Sequence, residues 1–296
     1  MSLFNTGFSR ARRLTPVLLA TALAACGGGG GSSGSGGGGQ VPFLTIDENN
    51  AGPLLYLTLQ GSEAFTLPQR FATILFTMEG ECESGSISVA EGPNGPTSAT
   101  ANNCELTDAG TPIILNGTVN YDYDGGDIVE VETSAFNVRI DDPLGADILI
   151  GGDFDYDFSN EDLDRFTDTD LQIDVRGPTE DGQGEYRINW LVDNLTTTQD
   201  YSDPAVITST IEGTLLVDGG AERVSITTNQ PIVQSTDGSD CPSSGDVRLR
   251  GASNTHAEVK FIDANSITVT INGNAEPYTC EKFGDYMTEA ENTFIE

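Results

Sequence analysis

From about residue 113 onward the chain alternates apolar and polar residues with a period of two, and this limits what it can fold into. Ile148, Ile150, Phe154, Tyr156 and Phe158 fall on one parity, and Asp147, Asp153, Asp155 and Asp157 on the other. The pattern recurs in Leu171/Ile173/Val175, in Tyr186/Ile188/Trp190/Val192 and in Ile207/Ile211/Leu215/Val217. It returns in Val247/Leu249, Val259/Phe261 and Ile267/Val269/Ile271. Successive side chains of a strand point to opposite faces, so this period means strands with one face on a core and the other in water. The 3.6-residue period of a helix is absent there. Between Val131 and Phe136 the apolar parity switches, which predicts a β-bulge.

Asp124-Gly125-Gly126, Asp218-Gly219-Gly220, Asn254 and Asn272-Gly273 separate these runs with residues that tolerate positive φ. Gly177 to Gly184 forms a longer polar loop. Short connections of this kind join antiparallel neighbours, and no spacing for a βαβ crossover occurs. The expected fold is all-β: a large antiparallel meander of about a dozen strands. It would form a curved sheet or open barrel, or else a two-sheet sandwich. Residues 41–80 place Leu54, Leu55, Leu57, Phe71, Ile74 and Leu75 at mixed spacings. One or two short helices are expected there, over Asn50–Gln60 and Pro68–Glu79. Residues 81–296 make the β domain, ending in a helical turn or frayed tail over Asp285–Glu296.

The N-terminus is a different kind of sequence. Arg10, Arg12 and Arg13 precede the uncharged run Leu14–Ala25. Twelve residues are too few to span a bilayer, but a positive start, a short apolar run and small residues before a cleavage point describe a secretory signal over residues 1–25. Leu23-Ala24-Ala25-Cys26 resembles the lipobox of bacterial lipoproteins. The resemblance implies that Cys26 carries the lipid and becomes the first mature residue. Gly27, where enterobacterial lipoproteins kept at the inner membrane carry Asp, implies the outer membrane, with the periplasmic or surface leaflet left open. Residues 26–40 then form a tether, since Gly27 to Gly39 hold only Gly and Ser and such a tract stays a flexible coil. Gly30, Ser32 and Gly34 match a hydrolase nucleophile-elbow pattern formally, but that motif needs a strand before it and a helix after it.

Removing the signal leaves ten Lys and Arg against 46 Asp and Glu, a net charge of −36. Phosphate binding needs clustered positive charge. With only two lysines, Lys260 and Lys282, and no basic patch, nucleic-acid partners are excluded. Membrane association is expected through the anchor, because the acidic surface repels anionic lipid.

Four body cysteines remain, Cys82, Cys104, Cys241 and Cys280. An even count in an exported chain argues for disulfides, whereas zinc wants Cys-x₂₋₄-Cys spacings that are missing. Of the three possible pairings, chain order favours Cys82–Cys104 and Cys241–Cys280.

Asp153-x-Asp155-x-Asp157 begins like a calcium loop, yet the Gly and Glu that an EF-hand requires are replaced by Phe158 and Asp164. The interleaved aromatics indicate a strand instead. Asp122, Asp124 and Asp127 flank a Gly-Gly turn and are read as bonding their own backbone. No metal site is expected. The only histidine, His256, follows a turn and has no nucleophile motif pointing to it. With a single tryptophan, Trp190, the aromatic platforms of a sugar-cleaving site are also missing. No catalytic residue and no cofactor are expected.

Leu115-Asn-Gly117-Thr118-Val119 resembles Ile211-Glu-Gly213-Thr214-Leu215, and each is read as opening a strand. Cys82-Glu-Ser84-Gly85 and Cys241-Pro-Ser-Ser-Gly245 also look alike and begin strands. This leaves open either a weak internal duplication or recurrent hairpin chemistry. With Asn103-Cys104 and Ile267 to Gly273, these segments make residues 80–282 resemble a set of uncharacterised β-rich exported proteobacterial lipoproteins, a resemblance that implies no activity. The function expected is a non-catalytic structural or interaction role with an unidentified protein partner. The alternatives are a carrier of a lipid or other apolar ligand in a curved sheet, and a cation-dependent hydrolase.

Overall fold

The structure, a computed structural model, describes residues 41–295 apart from 65, 109–110, 142–146, 179–184, 218–219 and 237–240. The signal segment, Cys26, the Gly/Ser tract, the Asp218-Gly219 turn and most of the 177–184 loop thus lie outside the described residues. Thirteen strands form one antiparallel sheet in chain order. They are β1 (Ser84–Gly92), β2 (Gly95–Asp108), β3 (Thr111–Asp124), β4 (Asp127–Asp141), β5 (Asp147–Asn160), β6 (Leu163–Pro178) and β7 (Glu185–Asp200). Then follow β8 (Val206–Val217), β9 (Glu222–Ser235), β10 (Ser244–Arg250), β11 (His256–Asp263), β12 (Ser266–Ile271) and β13 (Asn274–Tyr278). The meander is therefore a single sheet, and the sandwich alternative does not form. The alternation is realised as expected: Ile148, Ile150 and Phe154 are buried in β5, while Asp153 is exposed.

Helices α1 (Ala51–Ala64) and α2 (Thr66–Ile74) precede the sheet, with a short 3₁₀ turn at Leu75–Met78, and α3 (Cys280–Ile295) ends it. Ala51, Gly52, Leu54, Leu55, Leu57 and Thr58 of α1 are all buried. At 100° per residue they cover about 220° of the helix surface, so α1 is surrounded rather than laid on a plane. It touches β11, while α2 beside it touches β4 and β5. Strands β5 and β11 would be roughly 29 Å apart in a flat sheet. Two helices in contact reach both because the sheet curls around them. The buried side chains of helices and inner sheet face form one continuous core.

Two sequence expectations need correction. Of the expected Asp285–Glu296 turn or frayed tail, the described residues, through Ile295, form most of α3, which begins five residues earlier. The Thr279 hydroxyl accepts the Lys282 N–H at 3.4 Å, an N-terminal cap, and Phe283, Met287 and Ala290 recur at i, i+4, i+7 and are buried. Gly117 and Gly213 do not open strands. Each lies within one, at φ +106° and +151°.

Those glycines belong to a seam of bulges that crosses the sheet. Gly85, Asn103, Gly117, Ala135, Gly152, Asn194, Gly213 and Gly245 all have positive φ. They lie at or beside register shifts in β1, β2, β3, β4, β5, β7, β8 and β10, and no shift separates β6 from β7. The shift between Glu132 and Phe136, with Ala135 at φ +50°, is the bulge that the parity switch predicts. A bulge bends its strand and leaves ladder groups unpaired. Here side chains repair the ladder. The Asn116 amide oxygen accepts the Asn103 N–H at 2.8 Å, and the Asp153 carboxylate accepts the Ala135 N–H. The buried Thr133 hydroxyl accepts the Phe154 N–H at 2.8 Å and donates to the Phe154 carbonyl, and Thr228 does the same with Ile211. A seam repeated in most strands from β1 to β10 bends the sheet where it crosses.

Candidate functional site

The described chain enters along one end of the sheet. β10 stops at Arg250, which leaves the first residues of β9 without a neighbour on that side, and the segment from Pro42 to Leu44 takes the place. The Arg223 N–H donates to the Pro42 carbonyl at 2.9 Å, and the Leu44 N–H donates to the Arg223 carbonyl at 2.8 Å. Ala252 N–H then bonds the Leu44 carbonyl, and Ile46 N–H the Thr255 hydroxyl. The Arg223 guanidinium lies 4.3 Å above the Phe43 ring, a cation–π contact. Ile46 is fully buried. The segment that leads back to Cys26 is thus stitched to one defined end of the sheet.

The Asp153–Asp155–Asp157 row lies on the outer face of β5, as expected of a strand. Its three carboxylates have different partners. Asp153 caps the bulge at Ala135, Asp155 is paired in register with Glu132, and Asp157 with Glu130. Glu130 is also opposite Asp122 on β3. Partial burial, then Asp157 and Asp122, raise the Glu130 carboxyl above its ordinary range. Asp157 is held below its range by the Ser159 N–H that it accepts at 2.9 Å. Among the described residues, no three His, Cys, Asp or Glu side chains converge as a metal centre requires.

A folded pKa above the unfolded one means that this site's contribution is most favourable below the unfolded pKa and is lost as pH rises through the folded value. At neutral pH Glu130 therefore opposes folding. Glu130→Gln is expected to stabilise the protein by about 0.5 kcal/mol at low salt. The part of the gain due to like charges should vanish near ~1 M salt, where the Debye length falls to about 3 Å, while the part due to burial stays. Urea midpoints of both proteins at two salt concentrations test this, and an unchanged gap would show that the carboxylates do not repel.

On the inner face, the Tyr121 hydroxyl donates to the Ala72 carbonyl at 2.9 Å, tying β3 to α2, and burial pushes its phenol well above the ordinary range. Tyr156 is raised by burial and by the neighbouring Asp164. His256 is half-buried at the start of β11, and its N–H donates to the Asn272 side chain at 2.8 Å. Its ring faces the Asn254 carbonyl at 3.5 Å. Trp190 is placed in β7, opposite Ile173. The four body cysteines form Cys82–Cys104 and Cys241–Cys280, the pairing that chain order favours. None of the four supplies a thiolate.

No family model matches the chain, and neither a curated protein nor a solved structure does.

Proposed function

We propose that the chain is an exported lipoprotein, anchored through Cys26 to the outer membrane, that serves a non-catalytic structural or interaction role. The observation that carries this reading is the stitched N-terminal segment. Pro42, Phe43, Leu44 and Ile46 hold the point where the Gly/Ser tether leaves to one end of the sheet. A lipid on Cys26 then tethers the body by that end, and the coil between leaves the body free to reorient above the membrane. Two disulfides fit an oxidising compartment. The buried helix α1 occupies the space that a carried ligand would need, which favours interaction over transport.

Fractionation of cells making the full chain, with labelled fatty acid supplied, tests the anchor. The wild-type chain is expected in the outer-membrane fraction with label, and Cys26→Ala in the soluble periplasmic fraction without it. An unlabelled wild type, or Cys26→Ala retained in the membrane, would overturn the anchor. A stoichiometric apolar ligand in the native mass of Cys26→Ala would overturn the non-carrier reading.

A further inference from the structure

Charge is not spread evenly over the sheet. Four of the ten Lys and Arg that follow Cys26 lie on the outer face of β9–β11, as Arg223, Arg248, Arg250 and Lys260. Val224, Val247 and Val259, on the alternate parity, are buried. In register, Lys260 stands opposite Asp246 and Arg248 opposite Glu258, with Arg248 Nε 3.5 Å from Glu258 Oε2. The arginines of β4–β6 are matched in the same way: Arg139 with Asp147, Arg176 with Asp174, and Arg165 opposite Asp157. Arg223 and Arg250 differ. Neither makes an ion pair among the described residues. Their register neighbours on the outer face are Leu216, Ser225 and His256, and none is acidic. The adjoining Glu222 falls on the other parity, opposite Val217. Phe43 completes the group. It bridges to Arg223 beyond the end of β10, its ring lies under that guanidinium, and it is 39% exposed.

We propose, on the footing of the Cys26 anchor, that Phe43, Arg223 and Arg250 form a docking face for the anionic phosphate headgroups of the membrane that holds the lipid. The place where the chain enters selects this occupant. Residues 26–40 end at this face, and a Gly/Ser coil of that length reaches roughly 20 Å. The coil permits many orientations, and the patch selects among them. Charge complementarity points the same way. A guanidinium meets a phosphate through two parallel N–H···O bonds. An apolar ring beside it suits the boundary between headgroups and acyl chains. The chain as a whole repels anionic lipid, but the acidic row of β5 lies four strands from β9. That is roughly 19 Å along the sheet, more than twice the Debye length of about 8 Å at physiological salt. The anchor already supplies a high local concentration. The patch therefore only has to bias the orientation, not hold the protein at the surface.

The test uses the full chain, labelled with fatty acid in cells, extracted in mild detergent and reconstituted into vesicles of phosphatidylcholine with or without phosphatidylglycerol. Phe43→Trp puts a fluorophore at the centre of the face and keeps a ring beneath Arg223. The wild type, whose only tryptophan is Trp190 on β7, gives the background. Brominated acyl chains are expected to quench the Phe43→Trp emission in vesicles that contain phosphatidylglycerol and to leave it bright in phosphatidylcholine alone. The quenching is expected to fall near ~1 M salt. Arg250 has no side-chain partner among the described residues, so its replacement breaks no contact of the fold. Arg250→Gln is expected to lower the ratio of docked to undocked chains roughly fivefold, the effect of one arginine at an anionic surface. Arg250→Lys is expected to restore it, and Arg165→Gln, the same loss of charge on β6, to leave it unchanged. A labelled chain whose Phe43→Trp emission is not quenched, quenching equal in the two lipids, or quenching indifferent to Arg250→Gln would overturn the docking face alone. An unlabelled chain would overturn the anchor, and the docking face with it.

Discussion

Gly152→Val is expected to lower the free energy of unfolding by about 4 kcal/mol or more, beyond the range of ordinary substitutions. Gly152 is half-buried inside β5 at φ +149°, which side-chain-bearing residues rarely adopt. A Cβ there would lie 1.8 Å from the Asp170 carbonyl oxygen of β6. That oxygen belongs to the sheet backbone and cannot swing aside as a side chain would. Relief requires opening the bulge where β5 bends, which in turn disturbs Thr133 and its bonds to Gly152 and Phe154. A domain of this size holds roughly 5–15 kcal/mol in all, so the loss is a large fraction of the total. Gly125→Asn is the matching control. It too has positive φ, +62°, but nothing lies within 4 Å of the added atom and asparagine tolerates that conformation. Urea unfolding followed by far-ultraviolet circular dichroism should separate the two variants clearly. If Gly152→Val falls within ~1 kcal/mol of wild type, the seam does not constrain the sheet as argued.

The seam also marks how far the fold could be read from residues alone. Alternation names a strand because the period survives in the sequence, and this gave the meander and the inner face. The parity switch between Val131 and Phe136 betrayed one bulge because Thr133 and Phe136 are both buried on either side of Ala135. At Gly117 and Gly152 the apolar residues keep the same parity through the bulge, so nothing in the pattern announces it. A glycine inside a strand was then the only signal, and it reads equally well as a strand start. Helix α1 was indistinct for a physical reason. A helix buried over most of its surface has no polar stripe, and amphipathic periodicity is what identifies a helix. α3 keeps such a stripe, and its start was missed because Thr279 follows directly on the edge strand. The disulfide partners were legible because both link cysteines close in order. The stitching of Pro42 and Leu44 to Arg223 was not, since it joins residues nearly two hundred positions apart.

Replacing Cys241 and Cys280 together by serine is expected to cost about 4 kcal/mol, and the corresponding pair at Cys82 and Cys104 about 3.4 kcal/mol. The estimates follow from loop closure: the first bridge spans 39 residues and the second 22, and the longer loop has more unfolded-state entropy to lose. The two bridges differ further in what they hold. Cys82–Cys104 ties the approach to β1 to its neighbour β2, which the ladder already pairs. Cys241–Cys280 joins the approach to β10 to the first residue of α3, a helix that no strand ladder restrains. Its hold on the body otherwise rests on side chains: Phe283 edge-on to Phe261 at 5.8 Å, Tyr286 against Gly52 of α1, and the buried Met287 and Ala290. Without the bridge, those contacts alone must offset the freedom that the chain's end regains. The global cost should therefore be accompanied by a local one. Limited proteolysis under native conditions is expected to cut within residues 280–295 of the Cys241/Cys280 variant well before the rest of the chain, and to leave the Cys82/Cys104 variant intact there. Equal resistance in both variants would mean that the aromatic contacts suffice to seat α3 and that the bridge acts only on the unfolded chain.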